Sequence, residues 1–227
     1  HTVLQIVNDD MPFLVDSVSM ALADMGIGVH VLGHPIIQIG RDRAGRLTGV
    51  GEGDAESVMH LEIDRQTAED MARIEARLRE VLADVRAIVA DWDAMRERMR
   101  VVAADLGDAP LPVSDEERAE ARAFLDWAAD DHFTFFGYRE YALRRKGREE
   151  LLVPVEGSGL GLLRGGEGQG RPLKSLAAHN LSNGEGIEPL VLTKTNARSS
   201  VHRPGYMDYI GVLGFDGQGR AVSERRF

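Results

Sequence analysis

Short apolar runs alternate with helical stripes along the first half of the chain. Val3-Leu4-Gln5-Ile6-Val7 is strand-like, and Phe13, Leu14, Val18, Leu22 and Met25 then recur at near-helical spacing up to Gly26 and Gly28. Val29 to Ile39 is rich in Val, Ile and Leu and reads as a second strand, closed by the polar turn Arg41–Arg46. Ser57 to Asp64 alternates with period two, as a half-buried strand does. Thr67 is placed to cap a helix whose buried stripe is Met71, Ile74, Leu78 and Leu82. Val85–Val89 reads as a further strand, because Ile88 and Val89 follow Val85 and the stripe changes period. The order is βαββαβ over residues 1–90, a ferredoxin-like arrangement with helices on one face of an antiparallel sheet.

Residues 91–131 read as a helical connector. Trp92–Leu106 is one helix, and the glycine and two prolines of 107–112 make a stiff linker. Ser114 with Glu117 is a capping box that opens a helix packing Phe124, Leu125, Trp127 and Ala128 on one side. From 132 to 227 the period shortens. Phe133–Leu143 and Leu151–Val155 are strand candidates, short helical pieces follow at Pro172–His179, and Leu190–Asn196, Met207–Phe215 and Ala221–Phe227 are three more strands. Asp216-Gly217-Gln218-Gly219 turns between the last two. That order suits a PAS-like antiparallel α+β sheet, with a second ferredoxin-like unit as the alternative.

Composition narrows the class. The chain has 227 residues, 43% hydrophobic and 28% charged, enough for one large or two small domains with working cores. The absence of cysteine removes disulfides and thiolate metal sites. No apolar run reaches the roughly 20 residues a membrane helix needs, so the expectation is a cytoplasmic protein without a membrane partner. Residues 1–113 hold 20 Asp/Glu against 11 Lys/Arg, and residues 114–227 hold 17 against 16. An acidic first half argues against nucleic acid as a partner. The chain begins and ends inside strand-like runs, as a piece of a longer protein would.

Several features imitate active sites. The glycine-rich run 157–170 lacks the third glycine of a dinucleotide fingerprint and the Gly-Lys-Ser/Thr of a P-loop, so it reads as a flexible loop. His30 and His34 share a strand face but stand four residues apart, about 13 Å at strand rise, too far to ligate one ion. With His60 they read as core or surface histidines, and no metal site is expected. Asp9 and Asp10 have no His, Ser or Lys close in sequence to complete an acid–base constellation, so no catalytic residue is expected. Two stretches remain as binding candidates. Asn8, Asp9, Asp10, Met11, Pro12 and Phe13 form a strand-to-helix corner where backbone N–H groups face outward, with Pro12 at the first helical position. Lys194, Asn196, Arg198, His202, Arg203 and Tyr206 gather, with Tyr209, in a basic stretch suited to an anion or to docking against acidic residues of a neighbouring domain.

The motifs NDDMPFLVDSV, HPIIQIGRD, DHFTFFGYREY, GLGLLR and LTKTNARSSVHRPGYMDYIGV resemble the N-terminal portion of the large bacterial NAD-specific glutamate dehydrogenases. The resemblance covers almost the whole chain. It implies ACT-like and PAS-like modules ahead of a separate catalytic region, with NAD bound there and no cofactor in this segment. It assigns the parent reaction, reversible NAD-linked oxidative deamination of L-glutamate to 2-oxoglutarate and ammonia. ACT-like modules of this kind serve as regulatory or oligomerisation segments, so the implied partners are the catalytic region of the same polypeptide and further copies of the chain. An amino-acid effector at the corner is the alternative. In ACT domains that corner reads Asp-x-Pro-Gly, and here Asp10-Met11-Pro12-Phe13 carries Phe13 in the glycine's place.

Overall fold

The computed structural model describes residues 1–108, 113–146, 149–165, 171–172 and 188–227. They divide into two compact units, one formed by His1–Val89 with Arg198–Gly205, the other by Ala90–Ala197 with Tyr206–Phe227.

The first unit opens with strand β1 (Thr2–Asp9) and helix α1 (Leu14–Asp24). Strands β2 (Val29–Gly33), β3 (Ile36–Arg41), β4 (Leu47–Val50) and β5 (Asp54–Ile63) follow, and helix α2 (Ala68–Ala90) closes the series. β5 is the spine of the sheet. It pairs antiparallel with β1 from Thr2↔Ile63 to Asp9↔Glu56. Along its other edge lie β2 and β3 in one line, from Val29↔Ile63 to Ile39↔Asp54. The single strand expected over Val29–Ile39 is therefore interrupted at His34-Pro35, since proline has no N–H for the ladder, while Val58 N–H still donates to the Pro35 carbonyl at 3.0 Å. β4 extends the sheet beyond β3 and was not foreseen; its four residues are too few to show a period.

Alternation on β5 sends Ser57, Met59, Leu61 and Ile63 into the core, each fully buried. Leu14, Val18 and Leu22 of α1 and Ile74, Leu78, Val81, Val85 and Ile88 of α2 are buried as well. The strand expected at Val85–Val89 is corrected here. Leu78, Val81, Val85 and Ile88 continue one helical stripe at steps of three and four, and neither Gly nor Pro stops the helix before Ala90. The first unit therefore lacks the last strand of the expected βαββαβ order. Thr67 does cap α2: its hydroxyl oxygen accepts the Asp70 N–H at 3.1 Å.

In the second unit, helix α3 (Trp92–Asp108) runs two residues further than expected, taking Gly107 into its last turn, while 109–112 of the expected linker lie outside the described residues. Helix α4 (Asp115–Trp127) starts at the capping box read from the sequence, with Ser114 and Glu117 bonded reciprocally. A wider π-type turn, Ala128–His132, ends it. Strands β6 (Gly137–Lys146), β7 (Glu149–Pro154), β8 (Leu160–Gly161) and β9 (Arg171–Pro172) follow. β10 (Leu190–Arg198), β11 (Tyr206–Phe215) and β12 (Ala221–Arg226) complete the chain. The helical pieces expected at Pro172–His179 fall outside the described residues, except that Pro172 itself ends β9. β6 begins at Gly137, later than expected; before it the Phe135 ring is buried in the core and the part-buried Phe133 ring lies against it.

The sheet order is β10-β11-β12-β6-β7-β9, so the last strand, β12, pairs with the first, β6. Phe227 packs tilted against both Phe135 and Tyr138, ring centroids 5.8 and 4.8 Å apart, and Met95, Met99, Val102 and Leu106 of α3 are also buried. Asp91 pins the loop after β8. Its carboxylate accepts the Gly161 N–H at 2.7 Å and the Arg164 Nε–H at 3.1 Å. Burial pushes the Asp91 carboxyl up, but the Arg164 guanidinium and the Gly161 N–H outweigh it and hold the group below its usual range. Among the described residues, no helix is long and apolar enough to cross a membrane.

Candidate functional site

β1 delivers the chain to the corner. Asp10 N–H still bonds to the Ala55 carbonyl at 2.9 Å, and α1 starts only four residues later. Pro12 is not the first helical residue as expected. Phe13 is the N-cap, with φ 72° and ψ 0°, and no side chain caps the helix. A left-handed backbone costs a residue with a Cβ on the order of 1–2 kcal/mol, which glycine escapes. Phe13 thus adopts a backbone that favours glycine while carrying a side chain, at the place where the ACT-type pattern has glycine. Its ring is half-buried and does not enter the core. It lies against the His202 ring, centroids 5.0 Å apart and tilted by 54°. His202 is itself left-handed, with φ 71°.

The corner's polar side chains are tied within the unit. Arg86 of α2 donates to Asn8 Oδ1 at 3.0 Å and to the Asp9 carboxylate. Asp10 Oδ1 accepts from the Ser57 hydroxyl at 3.1 Å, and Ser57 Oγ is bonded in turn to His34 Nε2. The hydroxyl has one proton, given to Asp10, so His34 must donate from Nε2. Contrary to the sequence expectation, the acids at the corner do have a Ser and a His beside them. Their order is wrong for nucleophilic catalysis, which needs imidazole between hydroxyl and carboxylate. Ser57 is also fully buried. The chain of bonds is a polar strut joining the corner to β5 and to the bend at Pro35. The three histidines do not converge: His30 bonds Asp64 at 2.8 Å and His34 bonds Ser57.

Segment 198–205 packs on α1 within the same unit. Ser199 N–H and the Gly205 carbonyl close it at 2.8 Å. The Ser200 hydroxyl donates to Asp84 at 2.6 Å, and His202 N–H donates to Ser17 Oγ at 3.1 Å. His202 Nδ1 is buried without a hydrogen bond, 3.9 Å from Asp16 Oδ2. Arg203 and Pro204 join Asp16, Ser19, Met20 and Asp24 around an open groove of about 530 Å³. The basic stretch read from the sequence is therefore divided. Arg198, His202 and Arg203 belong to the first unit, while Lys194, Asn196 and Tyr206 belong to the second, where Lys194 pairs with Asp208 at 2.5 Å.

Sequence reasoning missed His34, Ser57, Arg86 and Ser17 as partners of the corner and of His202. One signal was available. Ser57 occupies the phase of Met59 and Leu61, and a hydroxyl at a core position requires a bonded neighbour. Arg86 carried no such mark, being one of many exposed helix arginines.

Comparison with known proteins gives a family match that lies within the first unit. Residues 1–78 match the family described as glutamate dehydrogenase, ACT1 domain. All of the chain aligns at 37% identity with an NAD-specific glutamate dehydrogenase of Halomonas elongata and at 36% with one of Pseudomonas aeruginosa. A third, from Mycobacterium tuberculosis, is 27% identical over 73% of the chain. The chain spans about 15% of the length of the first two relatives. It is thus a relative of the NAD-specific glutamate dehydrogenases, aligned with a limited segment of them and carrying their ACT1 domain at residues 1–78.

Proposed function

We propose that this chain is a non-catalytic N-terminal segment of an NAD-specific glutamate dehydrogenase, acting as scaffold and oligomerisation module for a catalytic region elsewhere in the polypeptide. In the parent, that region oxidises L-glutamate with NAD+ to 2-oxoglutarate, ammonia and NADH in the cytoplasm. The observation that carries the scaffold reading is the state of the corner. Asn8, Asp9 and Asp10 are engaged by Arg86 and Ser57, and Phe13 stands where an ACT-type effector site has glycine. A PAS-like second module is supported by β12 lying beside β6, the last and first long strands adjacent in mid-sheet. Deleting residues 1–227 from the full-length protein should change its assembled mass in light scattering. An unchanged assembly with unchanged glutamate oxidation would defeat the scaffold reading.

A second reading rests on a different observation: no side chain caps α1, so its first N–H groups are open to an amino-acid carboxylate. A thermal-shift panel of amino acids on wild type and Phe13→Gly tests it. Binding at the corner should be strengthened at least several-fold when the ring is removed, and a glycine variant no more responsive than wild type argues against it.

A further inference from the structure

The cavity with the most usable chemistry lies away from the corner, in the second unit, between α3 and the β11–β12 hairpin. Its volume is about 420 Å³, ample for a small metabolite. Val102, Leu106 and Phe215 give it an apolar side. Asp105, Ser223 and Arg225 give it a polar one. Asp216 also lines it, but is consumed by its own turn, accepting the Gln218 and Arg220 N–H groups at 2.9 and 3.0 Å and pairing with the Arg220 side chain.

The other polar groups are only partly used. Arg225 Nη2 lies 2.8 Å from Asp105 Oδ2, and the guanidinium makes no hydrogen bond to any other described residue. A guanidinium has five N–H donors in a planar fork, so most of this one's donors are unpaired among the described residues, on a side chain that is 24% accessible. Asp105 is about half exposed, its side chain 49% accessible, leaving its second oxygen open as an acceptor. The Ser223 hydroxyl has no hydrogen-bond partner among the described residues. Gly214, paired with Ser223 across β11 and β12, keeps room for it, because a Cβ on Gly214 would collide with Ser223 Oγ.

We propose that this cavity is a binding site for a free α-amino acid, recognised as a zwitterion. The ligand's carboxylate lies on the open donors of Arg225 with the Ser223 hydroxyl as a further donor. Its ammonium lies on the outer oxygen of Asp105. An α-amino acid carries opposite charges on adjacent groups, matching a cation and an anion held side by side. A dicarboxylate would repel Asp105, and a diamine would repel Arg225. The side chain of the amino acid faces Val102 and Phe215. This site goes beyond both readings above and does not depend on the corner, since it places amino-acid recognition in the other unit.

The test is isothermal titration of the full-length protein with L-aspartate, L-alanine and L-leucine, each compared with its N-acetyl and its carboxamide derivative, L-glutamate being left out because it is the substrate of the catalytic region. At least one free amino acid should bind, and both of its blocked derivatives should bind about tenfold or more weakly, the worth of a lost charge-assisted bond. Asp105→Asn and Arg225→Gln should each weaken binding about tenfold to a hundredfold, with circular dichroism showing the variants folded. Asp105→Asn, at a half-exposed position, keeps the test decisive should Arg225→Gln fail to fold. Asp10→Asn at the corner should leave the affinity unchanged. No binding of any free amino acid at 10 mM (roughly the weak limit for a metabolite site) overturns the proposal. Binding that survives Asp105→Asn but is lost in Asp10→Asn also overturns it and returns the ligand to the corner.

Discussion

Asp10 and Asp91 both stand where the chain changes direction, and they are held in opposite ways. Asp10, at the β1–α1 corner, is exposed and bonded to a neutral hydroxyl. Asp91, at the joint of α2 and α3, is 6% exposed and held by a guanidinium and a backbone N–H. A hydrogen bond to an exposed carboxylate competes with water, while a buried carboxylate has no such substitute. The acid that looks functional from its motif therefore contributes little to the fold, and the acid in no motif contributes much. Motif and mechanical importance are separate properties of a residue.

The strongest way to break that comparison is Asp91→Ala. The change strands the Gly161 N–H and the Arg164 guanidinium, and we expect a loss of about 2–3 kcal/mol in urea unfolding. That is less than a fully buried pair would lose, because the Arg164 side chain is 59% exposed and regains water. Asp10→Ala should cost less than about 0.5 kcal/mol. Equal losses at the two positions would show that burial does not separate them.

Acid sharpens the same contrast. The folded pKa of Asp91 is lowered, so its stabilisation is fully present above the unfolded carboxylate value of about 3.9 and is lost as pH falls through the folded value. The stability difference between wild type and Asp91→Asn should therefore be constant from neutral pH to about 5 and shrink below about 4. A difference that persists to pH 2 would assign the effect to packing.

Next in size is Ser57→Ala, expected to cost about 1–2 kcal/mol. It removes the link between His34 and Asp10 and leaves a part-buried imidazole N–H without its acceptor. Asp10 itself recovers water. If Asp10→Ala proved as costly as Ser57→Ala, the carboxylate and not the hydroxyl would be the centre of the strut.

How much of this was legible in the sequence depended on range. Local signals were read correctly: the capping box at Ser114, the Thr67 cap, the Asp216–Gly219 turn, and the period-two run read over Ser57–Asp64, which lies in a strand of Asp54–Ile63. The misreading of Val85–Val89 was also local, and avoidable. Val81 had been left out of the stripe, and with it the spacing stays helical through Ile88. The bonds that define the corner were not legible, because they span 23 residues for His34–Ser57, 47 for Asp10–Ser57 and 77 for Asp9–Arg86. Nor was the cavity beside Arg225, whose partner Asp105 sits on a helix more than a hundred positions earlier. The resemblance to glutamate dehydrogenases supplied the ACT-type corner and directed attention to Phe13, but not the ring on which Phe13 rests.

The smallest predicted effect tests that last contact. Had the Phe13 ring been core, replacing it with glycine would cost about 3 kcal/mol or more. The ring is instead half-buried against His202, on a backbone with φ 72°. Two terms then oppose each other in Phe13→Gly: lost ring contact, about 1–2 kcal/mol, and relief of left-handed strain, about 1 kcal/mol. The net change should lie within about 1 kcal/mol of zero. Phe13→Ala loses the same contact but keeps a Cβ at positive φ, so it should be less stable than Phe13→Gly by about 1 kcal/mol. The pair of variants reads the strain directly, because ring and contact are absent from both. If alanine and glycine were equally stable, the positive φ at position 13 would be imposed by the ring on His202 and would relax once the ring was gone. A glycine variant that loses 3 kcal/mol would return Phe13 to the core, and the comparison between an exposed corner and a buried joint would fail with it.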